Sequence, residues 1–342
     1  MACGGDRNDN ASEEERRGDA QPTASAATQA VLAELAALGA QPINTLTVAQ
    51  ARTQPTPGDA VRSVLTRLAL STAPEAVGSV TDSTFAGPAG AVPIRIYKPA
   101  GAGPFPVILY IHGGGWVIAT IDTYDSSARA LTHAAGAIVV STHYRQAPEA
   151  PFPAAHEDTW AAWQWTVANA VALGGNARQV AVVGESAGGN MAASIAIRAR
   201  DTGTRQPVHQ TLIYPVIDAV LDSPSEQQNR DAQPLNTASL AWFYEKYLAA
   251  PTDAQDPRFA VGATSDLRGV APATVILADI DPLRSEGRQY AERLSAADVR
   301  VDVTTYAGVT HEFFGMGALV TQSRTAVDRV GRNLQAAFAA NP

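Results

Sequence analysis

The sequence predicts an α/β fold: a mostly parallel central sheet flanked by helices, with a helical cap. Three observations predict it. From about residue 80 onward, short and continuously apolar runs alternate with longer helical patterns, the signature of strands covered on both faces. The chain has 342 residues, of which 46% are hydrophobic, enough for one large α/β domain plus extra segments. A polar, proline-containing stretch at 217–236 stands between a strand and a helix, a place where α/β proteins carry lids.

The elements follow in order. Residues 1–27 hold Asp6, Asp9, Glu13, Glu14, Glu15 and Asp19 beside Arg7, Arg16 and Arg17, with almost no large apolar side chain. Such a segment buries too little surface to offset its ordering entropy and is expected to be a disordered tail. Residues 28–38 have apolar positions at helical spacing. A loop around Pro42 follows, then a second helix over about 58–70 after the Pro55–Pro57 break. Segment 28–79 therefore reads as N-terminal cap helices, and 80–342 as the main domain with a cap insertion near 217–250. Strands are expected at 92–97, 106–111, 137–142, 180–183, 210–214, 274–278 and 299–306. Helices are expected near 123–135, 154–172, 187–200, 237–249, 283–297 and 321–339, and no internal repeat is visible.

Composition excludes several function classes. The net charge of −8 argues against a nucleic-acid partner, which favours a basic face, and against a strongly anionic substrate. No run of about 18 apolar residues is present, so no transmembrane segment is expected. Cys3 is the only cysteine, which rules out an intrachain disulfide and a cysteine metal cluster. None of the six histidines forms a His-x-x-x-His pair, so a zinc protease has no support and no metal site is expected.

Two motifs carry chemistry. Gly184-Glu185-Ser186-Ala187-Gly188 matches G-x-S-x-G and sits between the strand 180–183 and a helix. That is the sharp strand-to-helix turn that lifts a serine hydroxyl above a sheet edge, with the positive end of the helix dipole beside it. His112-Gly113-Gly114-Gly115-Trp116 follows the strand 106–111. Its glycines expose backbone N–H groups that can bind the oxyanion of a tetrahedral intermediate, together with the Ala187 N–H. No Gly-Lys-Ser/Thr follows, which disfavours a phosphate loop. Either motif alone is shared with ordinary glycine turns. Both together, each after a strand and in this order, point to a serine hydrolase.

A serine needs a base, and in this chain order the acid and then the histidine follow the nucleophile. Only His209 and His311 come after Ser186. His209 opens a strand candidate and reads as structural. His311 lies just after the strand 299–306, in a loop from which a base can reach. Asp279 and Asp281 both end the strand 274–278, and spacing alone does not separate them as the acid. Strand geometry favours Asp281: Pro282 ends the ladder and starts a helix, leaving Asp281 in the turn.

These blocks together resemble the hormone-sensitive-lipase-like family of bacterial esterases, over roughly residues 80–320. The resemblance rests on HGGGW at 112–116, YRQAPEAPFPAAHED at 144–158, GESAGGNMAA at 184–193, DPLRSEGRQYAERL at 281–294 and GVTHEF at 308–313. It implies an α/β-hydrolase fold and a carboxylester hydrolase acting on short- to medium-chain acyl esters, with no cofactor. It assigns Ser186, Asp281 and His311 to a catalytic triad, Gly114, Gly115 and Ala187 to the oxyanion hole, and a loop-holding role to His112. The chain departs from the family pattern in two places. Glu185 stands where the family more often has Asp, and segment 217–236 does not match its usual acyl-pocket segment.

Two other functions stand beside this one: an amidase or peptidase on the same triad, and a non-catalytic ligand-binding relative. A homodimer is also left open. The opening Met1-Ala2-Cys3-Gly4-Gly5 resembles the start of a mature lipoprotein. Localisation therefore stands between the cytoplasm and a lipid tether at Cys3 outside it.

Overall fold

The most apolar runs of the sequence form the middle of one eight-stranded sheet. The structure, a computed structural model, describes residues 22–342. The strands are β1 (Ser79–Gly87), β2 (Gly90–Lys98), β3 (Phe105–Ile111), β4 (Ile138–Thr142), β5 (Gly175–Glu185), β6 (Gln210–Ile213), β7 (Ala273–Ile280) and β8 (Val301–Thr310). Their spatial order is β1-β2-β4-β3-β5-β6-β7-β8. β2 runs antiparallel to both neighbours and all pairings from β4 to β8 are parallel.

Alternating side chains of the central strands feed two cores, one on each face of the sheet. Val107, Leu109 and Ile111 of β3 pack in one cluster with Trp163, Met191 and Leu294. These come from α5 (Ala154–Asn169), α6 (Ala187–Asp201) and α9 (Arg284–Ala296). Ile108 and Tyr110 pack in the other with Leu131, Val330 and Leu334, from α4 (Asp125–Ala135) and α10 (Thr321–Ala339). This is the α/β-hydrolase fold.

β1 is an element the sequence reading lacks. Its residues SVTDSTFAG are exposed except around Phe85, so neither alternation nor an apolar run marks them. They form a strand because they pair antiparallel with β2, Phe85 opposite Val92.

Four further helices lie towards the carboxyl edge of the sheet: α1 (Ala26–Ala37), α2 (Val48–Thr53), α3 (Pro57–Arg67) and α8 (Thr237–Tyr247), with the short α7 (Pro224–Gln228) before the last. The tail expected over 1–27 needs correcting at its end. Ser25 caps α1 by accepting from the Thr28 N–H, and the Ser25 N–H and Thr28 hydroxyl both donate to the Gly308 carbonyl. That tertiary partner gives the small polar residues an enthalpic reason to be ordered. Residues 1–21, with Cys3 and the lipid-anchor expectation, lie outside the described residues. The loop expected around Pro42 contains α2, capped by a reciprocal Thr47–Gln50 box. No helix among the described residues is long and apolar enough to cross a membrane.

Candidate active site

Ser186 sits between β5 and α6 at φ 56°, ψ −120°, a conformation rarely adopted outside sharp turns. Close packing enforces the turn: a Cβ at Gly188 would lie 2.1 Å from the Ile111 carbonyl oxygen. The strained geometry lifts the Ser186 hydroxyl to 2.9 Å from His311 Nε2. His311 Nδ1 lies 2.7 Å from Asp281 Oδ2. A carboxylate only accepts, so Nδ1 carries the hydrogen and Nε2 is left to accept from the serine. The other Asp281 oxygen accepts from the Leu283 N–H at 2.9 Å. Burial opposes a charged His311 ring, but the charge and hydrogen bond of Asp281 outweigh it and the pKa is raised.

The structure brings Asp281, not Asp279, to the histidine. Asp279 turns to Arg284, which it meets at 2.8 Å. His209, the other histidine after Ser186, is buried at the start of β6, 2.8 Å from the Thr274 hydroxyl. Segment 217–236 braces the turn that carries Asp281. The Ser225 hydroxyl donates to the Pro282 carbonyl and accepts from the Ser285 N–H, and the Asn229 amide donates to the Asp281 carbonyl. Glu286, buried and pushed up in pKa, accepts from the Ile217 N–H.

The glycine loop after β3 folds back through Val117 and Ile118 N–H bonds to the Gly114 carbonyl. Gly114 and Gly115 have φ of 95° and 56°. At Gly115 a Cβ would meet the Phe243 ring at 2.2 Å. Ala187 is the first residue of α6, and its N–H has no acceptor within the helix. His112 lies beneath the loop, its Nδ1 2.8 Å from the Gly113 carbonyl and its Nε2 3.0 Å from His143 Nδ1. Burial, with His143 adding to it, lowers its pKa to about 3, so the ring is neutral. The carbonyl fixes the hydrogen on Nδ1, and His143 therefore donates to Nε2. The Tyr144 hydroxyl also bonds the Gly113 carbonyl, at 2.8 Å.

Glu185 is wholly buried behind the serine, its carboxyl oxygens each bonded by a tyrosine hydroxyl, Tyr110 and Tyr214. Burial raises its pKa to about 7. Three residues escaped the sequence reading. Glu312 follows His311 at φ 70° and accepts from the Tyr124 hydroxyl at 2.6 Å. Tyr124 faces Gly113, and Phe243 closes on Gly115. The GVTHEF motif marks the histidine alone, and Tyr124, which caps α4, and Phe243, inside α8, reach the site from helices that carry no motif.

Ser186, His311 and Glu312 open into a cleft walled by Leu35, Ile43, Val216, Leu235, Leu240 and Phe243, which come from the N-terminal helices and the 216–243 region. A hydroxyl relayed to a buried carboxylate at the floor of an apolar cleft is an arrangement for acyl transfer.

Known proteins agree with this class. Residues 108–315 match the family described as alpha/beta hydrolase fold, and the chain belongs to it. It is a member of the hormone-sensitive-lipase-like branch and an ester hydrolase. An ethyl acetate hydrolase of Pseudomonas putida is 38% identical over 248 residues, covering 71% of this chain and 78% of the relative. The carboxylesterase NlhH of Mycobacterium tuberculosis is 41% identical over 250 residues, covering 72% and 77%. Among solved structures, a hyperthermophilic esterase from the archaeon Pyrobaculum calidifontis superposes with a TM-score of 0.83 at 34% identity, over 92% of this chain and 98% of its own. The expectations of a homodimer and of a lipid anchor have no support from the described residues or from these relatives.

Proposed function

We propose that this enzyme hydrolyses short- to medium-chain acyl esters through an acyl-enzyme on Ser186. His311 Nε2 takes the serine proton as Oγ attacks the ester carbonyl. Asp281 holds the ring in the required tautomer and stabilises the imidazolium. The N–H groups of Gly114, Gly115 and Ala187 receive the oxyanion. His311 then returns the proton to the leaving alcohol, and water repeats the sequence to release the acid. The N-terminal helices and the 217–250 region act as the cap, and the acyl or alcohol chain lies against the apolar walls they supply.

The observation that carries this reading is the hydrogen-bonded line from Ser186 Oγ through His311 to Asp281, at 2.9 and 2.7 Å, opening into an apolar cleft. The test is Ser186→Ala on p-nitrophenyl esters of increasing acyl length. A folded variant should lose about 10⁵-fold or more in kcat, and the wild type should fall off as the acyl chain lengthens. A variant keeping a tenth of the activity would remove Ser186 from the mechanism. Faster turnover of matched amides than esters would favour the amidase reading.

A further inference from the structure

We infer that Glu312 is a water-positioning residue: its carboxylate and His311 Nε2 together hold the water that hydrolyses the acyl-enzyme. The inference rests on the triad reading above and concerns its second half-reaction.

Four observations converge. Glu312 Oε1 stands 3.9 Å from His311 Nε2, the nitrogen that moves protons. The Tyr124 hydroxyl donates to that same oxygen at 2.6 Å and so fixes its position, leaving a lone pair free for a further donor. The side chain lines the cleft together with Ser186 and His311. Its backbone is held at φ 70°, a region that glycine occupies without strain and glutamate does not. A strained non-glycine residue at the edge of a reactive centre points to work done by its side chain.

The geometry suits one water in particular. While Ser186 is acylated, Oγ has no hydrogen and Nε2 is free to accept. A water donating at about 2.8 Å to both Nε2 and Oε1 would subtend roughly 90° at its oxygen, near its own bond angle. Both hydrogens are then committed, and a lone pair points away from the carboxylate towards the acyl carbon. On attack the water oxygen bonds to that carbon and one proton passes to Nε2, while the hydrogen facing Glu312 stays on the oxygen. Collapse breaks the bond from carbon to Ser186 Oγ, Nε2 returns its proton to Oγ, and the carboxylic acid leaves.

An alcohol provides the contrast, because methanol has one hydroxyl hydrogen, which His311 takes, and none for Glu312. The test is the product ratio of methyl ester to free acid when the full chain hydrolyses p-nitrophenyl acetate in dilute methanol. This ratio is set after the acyl-enzyme forms, whichever step limits turnover. Glu312→Leu keeps the bulk and removes the acceptor. It should raise methanolysis relative to hydrolysis about tenfold, the weight of one hydrogen bond to a charged group. Glu312→Gln keeps an acceptor oxygen beside Tyr124 and should stay within about threefold of the wild-type ratio. If the leucine variant fails to fold, Glu312→Gly carries the same expectation on a backbone that favours it. An unshifted ratio in a folded Leu or Gly variant overturns the inference alone. A wild type whose Ser186 is not labelled by a fluorophosphonate overturns the triad reading, and this inference with it.

Discussion

The carboxylates of this site are told apart by their surroundings and not by their residue type. Asp281 and Asp279 are two residues apart at the end of β7, yet one bonds His311 and the other Arg284. Asp281→Asn should fold and lose about 10³- to 10⁴-fold in kcat, because an amide no longer favours the imidazolium or the tautomer that presents Nε2. Asp279→Asn should keep kcat within a few-fold and lower the melting temperature. Kinetics on both purified variants check this, and the reverse ranking would reassign the acid. Glu185 makes a different statement. Burial, with Glu312 adding to it, raises its pKa from 4.5 to about 7. Between these values the folded state holds a proton that the unfolded chain has released. Its stabilising protonated form is complete below pH 4.5 and is lost as pH rises through about 7, at a cost of roughly 3 kcal/mol at most. Glu185→Gln has no proton to lose. The stability difference between wild type and variant, from urea midpoints at pH 5 and pH 8, should therefore shift towards the variant at the higher pH. Parallel curves would show that Glu185 does not titrate in this range. Ser186, Asp281 and His311 were legible because each sits in a short motif with a known strand context. Glu312 was not, because only a positive φ and a distant tyrosine give it a place.

Among elements, the loop after β3 depends on the helix packed over it. Phe243 of α8 occupies the space where a side chain on Gly115 would project. Gly115→Ala therefore forces the loop and α8 apart as well as straining a left-handed backbone. The expected result is a loss of kcat of about 10²-fold or more, consistent with removal of an oxyanion donor. Gly115→Ala in a Phe243→Ala background relieves the clash but not the strain and should recover only part of that loss. Full recovery would show that steric exclusion, and not amide geometry, is what the glycine provides. Segment 217–236 teaches the same lesson. Its polarity and prolines gave the expectation of a lid, and residues 233–236 do line the cleft. The part before them instead holds the Asp281 turn through Ser225 and Asn229. Composition marked the segment as an insertion, but only the hydrogen bonds say what it holds.

For the whole molecule, the N-terminal segment is tied to the far end of the chain. Ser25 and Thr28 bond the Gly308 carbonyl, three residues before His311. Removal of residues 1–21 should leave ester turnover unchanged, whereas removal of 1–37 takes α1 from the cleft wall and the staple from Gly308. The longer deletion should lower both the melting temperature and kcat, and equal activity of the two truncations would show that α1 plays no part. The sequence by itself determined the class of the fold, the strands β2 to β8, the helices that flank them, and the chain order of Ser186, Asp281 and His311, which the fold brings into one hydrogen-bonded line. Apolar periodicity and short glycine motifs are local, and a strand buried on both faces must be apolar wherever its neighbours come from. Tertiary structure alone decided the rest. β1 exists because β2 offers it a ladder, residues 22–27 are ordered because Gly308 accepts their hydrogen bonds, and Glu312 faces His311 because Tyr124 holds it there. Each of these depends on a partner remote along the chain. A polar residue bears no mark of whether its hydrogen bonds will be made by water or by a group that folding brings to it.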